Sequence, residues 1–275
     1  MYKLIVDANK PSFGLNFKEL WAYRDLMLIL IYRDLRVRYT QTFLGLSWAI
    51  LQPLATLLIF TMVFERAIGI DTGNIPYPLF ALCGMSAWTY FAFVLNNSGN
   101  SIISSQEMIK KIYFPRLIIP LSKSMVGLVD FIIALLLIGC FMIFYGITPG
   151  NKFLYLSIFI ALTIISGLSV GIWISALTIR YRDLQHVVPF LVQFGLYATP
   201  VGYPSELIVK NLPDWAVTLF YLNPMAGIVE GFRWTILGGS PPNVNVYYSF
   251  GVAILLFISG LYFFKKVERV MSDII

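Results

Sequence analysis

The sequence predicts an all-α polytopic membrane protein, and three observations carry that prediction. Hydrophobic residues fill 58% of the 275 positions and charged residues only 12%, about half the charged share of soluble domains. Six stretches contain no Asp, Glu, Lys or Arg: 42–64, 75–95, 131–151, 153–179, 184–205 and 246–264. Each approaches or exceeds the roughly 20 apolar residues that a helix needs to cross a ~30 Å hydrocarbon core. Third, the ~10-residue alternating segments of a membrane-spanning barrel do not occur. The first apolar stretch also starts too far into the chain for a cleaved signal peptide. Spans are placed at about 44–64, 77–97, 121–145, 153–179, 184–203 and 246–264, within a transmembrane domain of 41–268. A segment 1–40 precedes that domain and a tail 269–275 follows it.

Residues 18–39 come first. Their uncharged run, 26–32, is too short to cross a bilayer, yet the segment is too apolar for an exposed soluble helix. As one continuous helix it would measure about 33 Å. At about 100° per residue, Lys18, Asp25, Arg33 and Arg36 share one face, while Leu20, Leu28, Ile31 and Leu35 gather elsewhere. Arg24, Asp34 and Arg38 interrupt the apolar side, which predicts a bend near Tyr32. An N-terminal interfacial amphipathic helix fits this pattern; a solvated helix docked on a partner subunit also satisfies it.

Between spans two and three, residues 96–105 are rich in cap-forming side chains. Ile102, Ile103, Ile109 and Ile112 form the apolar side of a short predicted helix, with Gln106, Glu107, Lys110 and Lys111 as its polar side. Pro115 disfavours helical geometry at Phe114 and predicts the helix end. Such a helix, parallel to the membrane, suits docking of a soluble subunit. In span four, Gly167, Gly171 and Ser175 have the spacing of a small-residue packing seam. Residues 200–242 contain six prolines but stay mostly apolar. The pieces 215–222 and 225–229 are too short to span, predicting two re-entrant outer-leaflet helices between spans five and six. Asn223-Pro224 would start the second and Gly238-Gly239 end it. A folded external hairpin is the alternative.

Charge sets the expected orientation. Sixteen of the twenty basic residues lie before span one, between spans two and three, between four and five, or after six. Only Arg66, Lys152, Lys210 and Arg233 fall on the other side, so both termini are expected in the cytoplasm. The net charge of +6 then reflects topology and anionic lipid rather than nucleic acid. Cys83 and Cys140, inside spans two and three, read as packing residues rather than a disulfide.

Catalytic motifs are nearly absent. No Gly-Lys pair occurs, so the chain has no P-loop for nucleotide phosphates. Gly167-Leu168-Ser169-Val170-Gly171 matches G-x-S-x-G, but it lies mid-span rather than on a strand-to-helix elbow. One histidine, His186, and no cysteine cluster argue against a transition-metal site. Asp130, well inside a span, follows Lys123 by two helical turns, which fits a local ion pair, a water-lined site or a role in transport.

Five segments, in order, carry a family resemblance: "YTQTFLGLSWAILQPL" (39–54), "YFPRLIIPL" (113–121), "ISALTIRYRDLQHVVPFLVQ" (174–193), "ATPVGYP" (198–204) and "LNPMAGIVEGFRW" (222–234). Together they resemble the type-2 ABC exporter permeases for polysaccharides, above all the O-antigen permease group, with capsule and teichoic-acid permeases as relatives. The likeness runs from about Lys18 to Arg269; the first ten or so residues fall outside it. It implies a homodimer of six-span subunits with two separate ATP-binding cassette subunits, which hold the ATP and magnesium; this chain itself would carry no cofactor and catalyse nothing. It implies that 18–39 is the interfacial helix, that about 99–112 is a cytoplasmic coupling helix, and that 204–239 holds the two re-entrant helices. Gln106, Glu107, Lys110 and Lys111 would then be the ATPase-coupling residues. The implied substrate is a polysaccharide on undecaprenyl pyrophosphate, moved across the bacterial cytoplasmic (inner) membrane as in lipopolysaccharide biosynthesis, with spans one and five lining the path and a lateral opening.

A path for a moving glycan needs an uncharged tube whose aromatic faces meet sugar C–H surfaces without fixing one register. Trp48, Gln52, Trp88, Tyr90, Phe91, Phe194 and Tyr197 are the candidates, with Asn96, Asn97 and Gln193 as further hydrogen-bonding groups. Each aromatic taken singly also fits core packing or contact with lipid. Arg33, Arg36 and Arg38, where the interfacial helix meets span one, are the expected entry site for the lipid pyrophosphate, because arginine's planar fork matches phosphate oxygens. Anchoring to anionic lipid would use the same residues.

Two other classes make different demands. A secondary transporter calls for buried ionisable groups and internal repeats, but only Asp130 lies deep, and "YRDL" at Tyr23, Tyr32 and Tyr181 recurs only as a tetrapeptide. A membrane glycosyltransferase calls for acidic or histidine groups on one face, and the outer loops offer Asp71, Glu206, Asp214 and Glu230.

Overall fold

A computed structural model of the protein describes residues 17–40, 42–239, 241–269 and 271. The expected segment 1–40 up to residue 16, and residues 270 and 272–275 of the expected tail 269–275, lie outside the described residues. The described residues are mainly helical and contain no strand. Its helices are α1 (Phe17–Ala22), α2 (Arg24–Tyr39), α3 (Trp48–Phe60), α4 (Tyr77–Gly99), α5 (Ser101–Ser104), α6 (Gln106–Lys111) and α7 (Ile118–Phe144). They continue as α8 (Leu156–Arg180), α9 (Leu184–Ala198), α10 (Glu206–Asn211), α11 (Asp214–Tyr221), α12 (Pro224–Leu237) and α13 (Val246–Glu268).

Among the described residues five helical segments are long and apolar enough to cross a membrane: Gly45–Ala67, Tyr77–Gly99, Ile118–Phe144, Asn151–Arg180 and Val246–Glu268. The protein is therefore a multi-pass membrane protein. The segment expected as span five differs. Its helix, α9, has 15 residues, about 22 Å, short of a ~30 Å hydrocarbon core. It stops because Thr199 precedes Pro200 and adopts φ −104°, ψ 142°, the extended geometry that a following proline imposes.

The core is built around α4. Its sequence is uncharged and mainly apolar, and most of its residues are buried, as expected of a helix enclosed by others. The seam in span four holds: Gly167 and Gly171 of α8 face Val94 and Ser98, and a Cβ on Gly171 would sit 3.0 Å from that of Ser98. The Thr178 hydroxyl donates to the carbonyl of Gly99 at 2.9 Å, closing the same approach. Within this seam Ser169 donates to its own helix at Ser166 O, 2.7 Å, so the G-x-S-x-G match is a packing feature.

The segment 204–239 folds into three helices, α10 to α12, where two are predicted. The boundaries of the last were legible: Asn223 Oδ1 accepts the Met225 N–H at 3.0 Å, Pro224 opens the helix, and Gly238 ends it at φ +79°. With both ends in place α12 runs from Pro224 to Leu237, past the apolar piece 225–229, and is buried along most of its course. Gly231 permits this burial, because a Cβ there would meet the Phe159 ring at 1.8 Å.

Two further expectations are corrected. The break in the N-terminal helix falls at Tyr23, between α1 and α2, while Tyr32 lies in the middle of α2. The single helix expected over 99–112 is a pair, α5 and α6, parted at Ser105. Ile102 is buried and Ile109 packs beside it, but Ile112 leaves the helix at φ −135°, ψ 135° and is 55% exposed. Cys83 is buried, Cys140 is exposed, and both are free.

Candidate functional site

The C-terminal half of α2 runs alongside α7, and charge pairs fix its register. Asp34 pairs with Lys123 at 2.8 Å. One turn later Arg38 pairs with Asp130, whose other oxygen accepts the Tyr39 hydroxyl. This replaces the local Lys123–Asp130 pair that the sequence allowed. Seven residues of α7 separate those two by about 10 Å, and α2 brings a partner to each. The Arg38 guanidinium also lies 4.6 Å from the centre of the Phe93 ring.

Above this pair, α2, α3, α4 and α7 enclose a cavity of about 430 Å³. Arg38 and Asp130 line it together with Trp48, Gln52, Thr56, Ser86, Thr89, Asn96 and Asn97. Its two charges are paired, so the lining is neutral, and its polar groups stand among apolar ones such as Leu82, Met85, Phe93 and Phe131. Asn97 donates to Phe93 O at 2.8 Å, whereas the buried Oδ1 of Asn96 has no protein partner.

The seven expected path residues do not form one surface. Trp48, Gln52 and Tyr90 meet at the cavity, but Tyr90 is largely committed to the core. Its hydroxyl hydrogen-bonds Ser124 at 2.8 Å and its ring stacks on Phe131 at 5.0 Å. Trp88 and Phe91 are buried on the other side of α4 with ring centres 5.3 Å apart. There Trp88 packs on Gly195 of α9, where a Cβ would come within 2.7 Å. Phe194 and Tyr197 lie on an exposed face of α9, with Phe190 stacked on Phe194 at 6.4 Å.

The three arginines are likewise divided. Arg33 donates to Asp34 Oδ1 from both Nε and Nη2, at 3.0 and 2.8 Å. Arg38 faces the cavity. Arg36 is exposed and forms no ion pair among the described residues. On a helix Arg36 and Arg38 lie about 200° apart, so the expected single cluster is resolved into three separate environments.

The short helix α6 forms an exposed platform. Glu107 and Lys111 pair along α6 at 3.6 Å, both largely exposed, and Lys110 is exposed beside them; Gln106 is half-buried. Met108 and Ile109 pack against a cluster containing Leu30, Ile102, Phe114 and Phe264. Glu268, at the end of α13, ties the platform down: its carboxylate accepts the Arg116 N–H at 2.8 Å, and its carbonyl accepts Arg116 Nη1 at 2.6 Å.

Sequence reasoning missed Arg233. It was counted with the outer charges, yet it is only 8% exposed. Its guanidinium donates to four carbonyls: Pro200 and Val201 at 2.6 Å each, Phe80 at 3.2 Å and Tyr203 at 3.3 Å. It also lies 3.5 Å from the centre of the Phe80 ring. Gly84 makes room, since a Cβ there would stand 2.7 Å from Nη2. The available signal was an arginine inside the otherwise apolar run "GIVEGFRWTIL", where Glu230 is the one other charge. Among the described residues no group of His, Cys, Asp or Glu could hold a metal ion.

The chain is 30% identical over 254 residues to an O-antigen export system permease protein RfbA of Klebsiella pneumoniae, covering 91% of this chain and 95% of that protein. It is 27% identical over 217 residues to an RfbA of Myxococcus xanthus, covering 78% and 82%. A polysialic acid transport protein KpsM of Escherichia coli is 25% identical over 249 residues, covering 88% and 93%. The model of the ABC-2 type transporter family matches residues 25–237, from the start of α2 to the end of α12. The chain belongs to the ABC-2 type transporter family.

Proposed function

We propose that this protein is the permease subunit of an ATP-driven exporter that moves a polysaccharide, carried on undecaprenyl pyrophosphate, across the bacterial cytoplasmic membrane. The observation that carries this reading is the match, over nine-tenths of the chain, to a protein named as an O-antigen export permease. The missing P-loop fits a subunit whose ATP and magnesium are bound elsewhere, on two ATP-binding cassette partners of a homodimer. A capsule-type polymer is the second reading, favoured by the likeness to KpsM; a teichoic acid is a third substrate of the same class. In the first reading α9 and the irregular segment 199–204 complete a sixth crossing, and α11 and α12 re-enter the outer leaflet. The neutral cavity and the aromatic face of α9 serve the glycan, and exposed Arg36 is the arginine free to meet the carrier's pyrophosphate. Depleting the protein and analysing cell lipids tests the function: full-length lipid-linked glycan should accumulate on the cytoplasmic side. Normal export under depletion would refute it.

In this reading both termini lie in the cytoplasm. Single cysteines at Asp71 and Lys210, in a background lacking Cys83 and Cys140, are expected to react with an impermeant thiol reagent added outside sealed cells. A cysteine at Lys110 should stay unlabelled; its labelling would reverse the topology.

The α6 platform is the docking element for the ATPase. Reversing the charges of Glu107, Lys110 and Lys111 together is expected to cut export at least tenfold while membrane insertion stays normal. Co-purification of the partner is the direct readout, and wild-type recovery of it would remove these residues from docking.

A further inference from the structure

We propose that the cavity between α2, α3, α4 and α7 is a holding site for the neutral monosaccharide or disaccharide segment next to the lipid carrier, an inference that rests on the lipid-linked substrate proposed above. The molecule presents two different kinds of surface to a sugar chain. The exposed face of α9 offers Phe190, Phe194 and Tyr197, rings that attract C–H surfaces with little demand on register. The cavity instead combines the half-exposed Trp48 indole with the amides of Gln52, Asn96 and Asn97. Amide hydrogen bonds are directional, and Asn96 Oδ1 has no protein partner to satisfy it.

A sliding chain would break such bonds at every step, leaving polar groups unpaired each time. A site of this kind therefore suits stopping rather than passage. An internal repeat that fitted it would halt the polymer once per repeat. The segment held must occur once per molecule, and the unit beside the carrier is the one confined to membrane depth. The ligand class follows from charge and size. Asp130 already neutralises Arg38, so a pyrophosphate would have to break that pair, whereas hydroxyl groups can add to it. About 430 Å³ lies within the range of small-molecule sites.

The test uses the permease purified with its native ATPase partner in lipid nanodiscs. Binding is titrated with undecaprenyl pyrophosphate and with a panel of the same lipid carrying one glucose, mannose, rhamnose or N-acetylglucosamine. Wild-type protein should bind at least one glycosylated lipid about tenfold more tightly than the bare lipid, as expected when a site built for hydrogen bonds gains its partner. Gln52→Leu and Asn96→Leu should erase that preference and leave bare-lipid affinity unchanged. Gln52 lies on the exposed flank of α3, so its variant carries the test if Asn96→Leu fails to assemble. A preference that survives in the variants, or equal wild-type binding of bare and glycosylated lipids, overturns the holding site while the carrier stands. Failure of the wild type to bind any of these lipids overturns the carrier and the site together.

Discussion

Arg233→Met is expected to remove most folded protein from the membrane and, with it, export. The guanidinium supplies donors to the carbonyls of Pro200, Val201 and Tyr203, which lie in the irregular stretch after α9, and to Phe80 in α4. Backbone that is neither helix nor strand is tolerated at membrane depth only where protein groups satisfy it. Methionine matches the side chain in bulk but donates nothing. Each carbonyl left bare would cost about 1–3 kcal/mol, and losing several together consumes a large part of the roughly 5–15 kcal/mol that holds a domain folded. Arg233→Lys should fall between the two, because an ammonium keeps the charge but lacks the planar fork that reaches separate carbonyls. Thermal unfolding in detergent and the monodisperse yield on gel filtration are the readouts. A methionine variant with wild-type melting temperature and yield would show that these carbonyls do not depend on Arg233.

That role explains where sequence reading stopped. Five long membrane-crossing helices were legible because hydropathy is a local property, and the ends of α12 were legible because Asn223-Pro224 and Gly238 act within one turn. Apolar length alone placed span five at 184–203, running through Pro200, whereas α9 ends at Ala198 ahead of that proline. Arg233 was misjudged because charge counting cannot see carbonyls contributed by Phe80 and by 200–203, far away in the chain. The same limit divided the path candidates. Composition identifies Trp48, Gln52, Trp88, Tyr90, Phe91, Phe194 and Tyr197 as aromatic or amide groups in spans. It does not reveal that α3 and α9 take different sides of α4, so that Trp88 and Phe91 become core while Trp48 and Gln52 face a cavity. A helical wheel drawn for α2 alone likewise mistook Arg38 for a break in the apolar face.

Asp130→Leu tests what Arg38 does instead. The single variant leaves a guanidinium beside Phe93 and the cavity with no carboxylate, and also strips the Tyr39 hydroxyl of its acceptor. Breaking a fully buried pair costs about 3–5 kcal/mol because one charge stays uncompensated. Here the Arg38 and Asp130 side chains keep 37% and 20% of their exposure, so solvent screening reduces the expected loss to about 1–3 kcal/mol. The double variant Arg38→Met/Asp130→Leu removes both charges, and its stability should return most of the way to wild type. Export should not return with it if the pair also serves as the hydroxyl-binding floor of the cavity. Stability and transport would then separate in one protein, which a purely structural pair would not allow. If Asp130→Leu melts like the wild type, the register of α2 against α7 rests on Asp34, Lys123 and the apolar contacts around Leu30. If the double variant exports at the wild-type rate, the pair is a structural clasp and the floor of the cavity needs no charge.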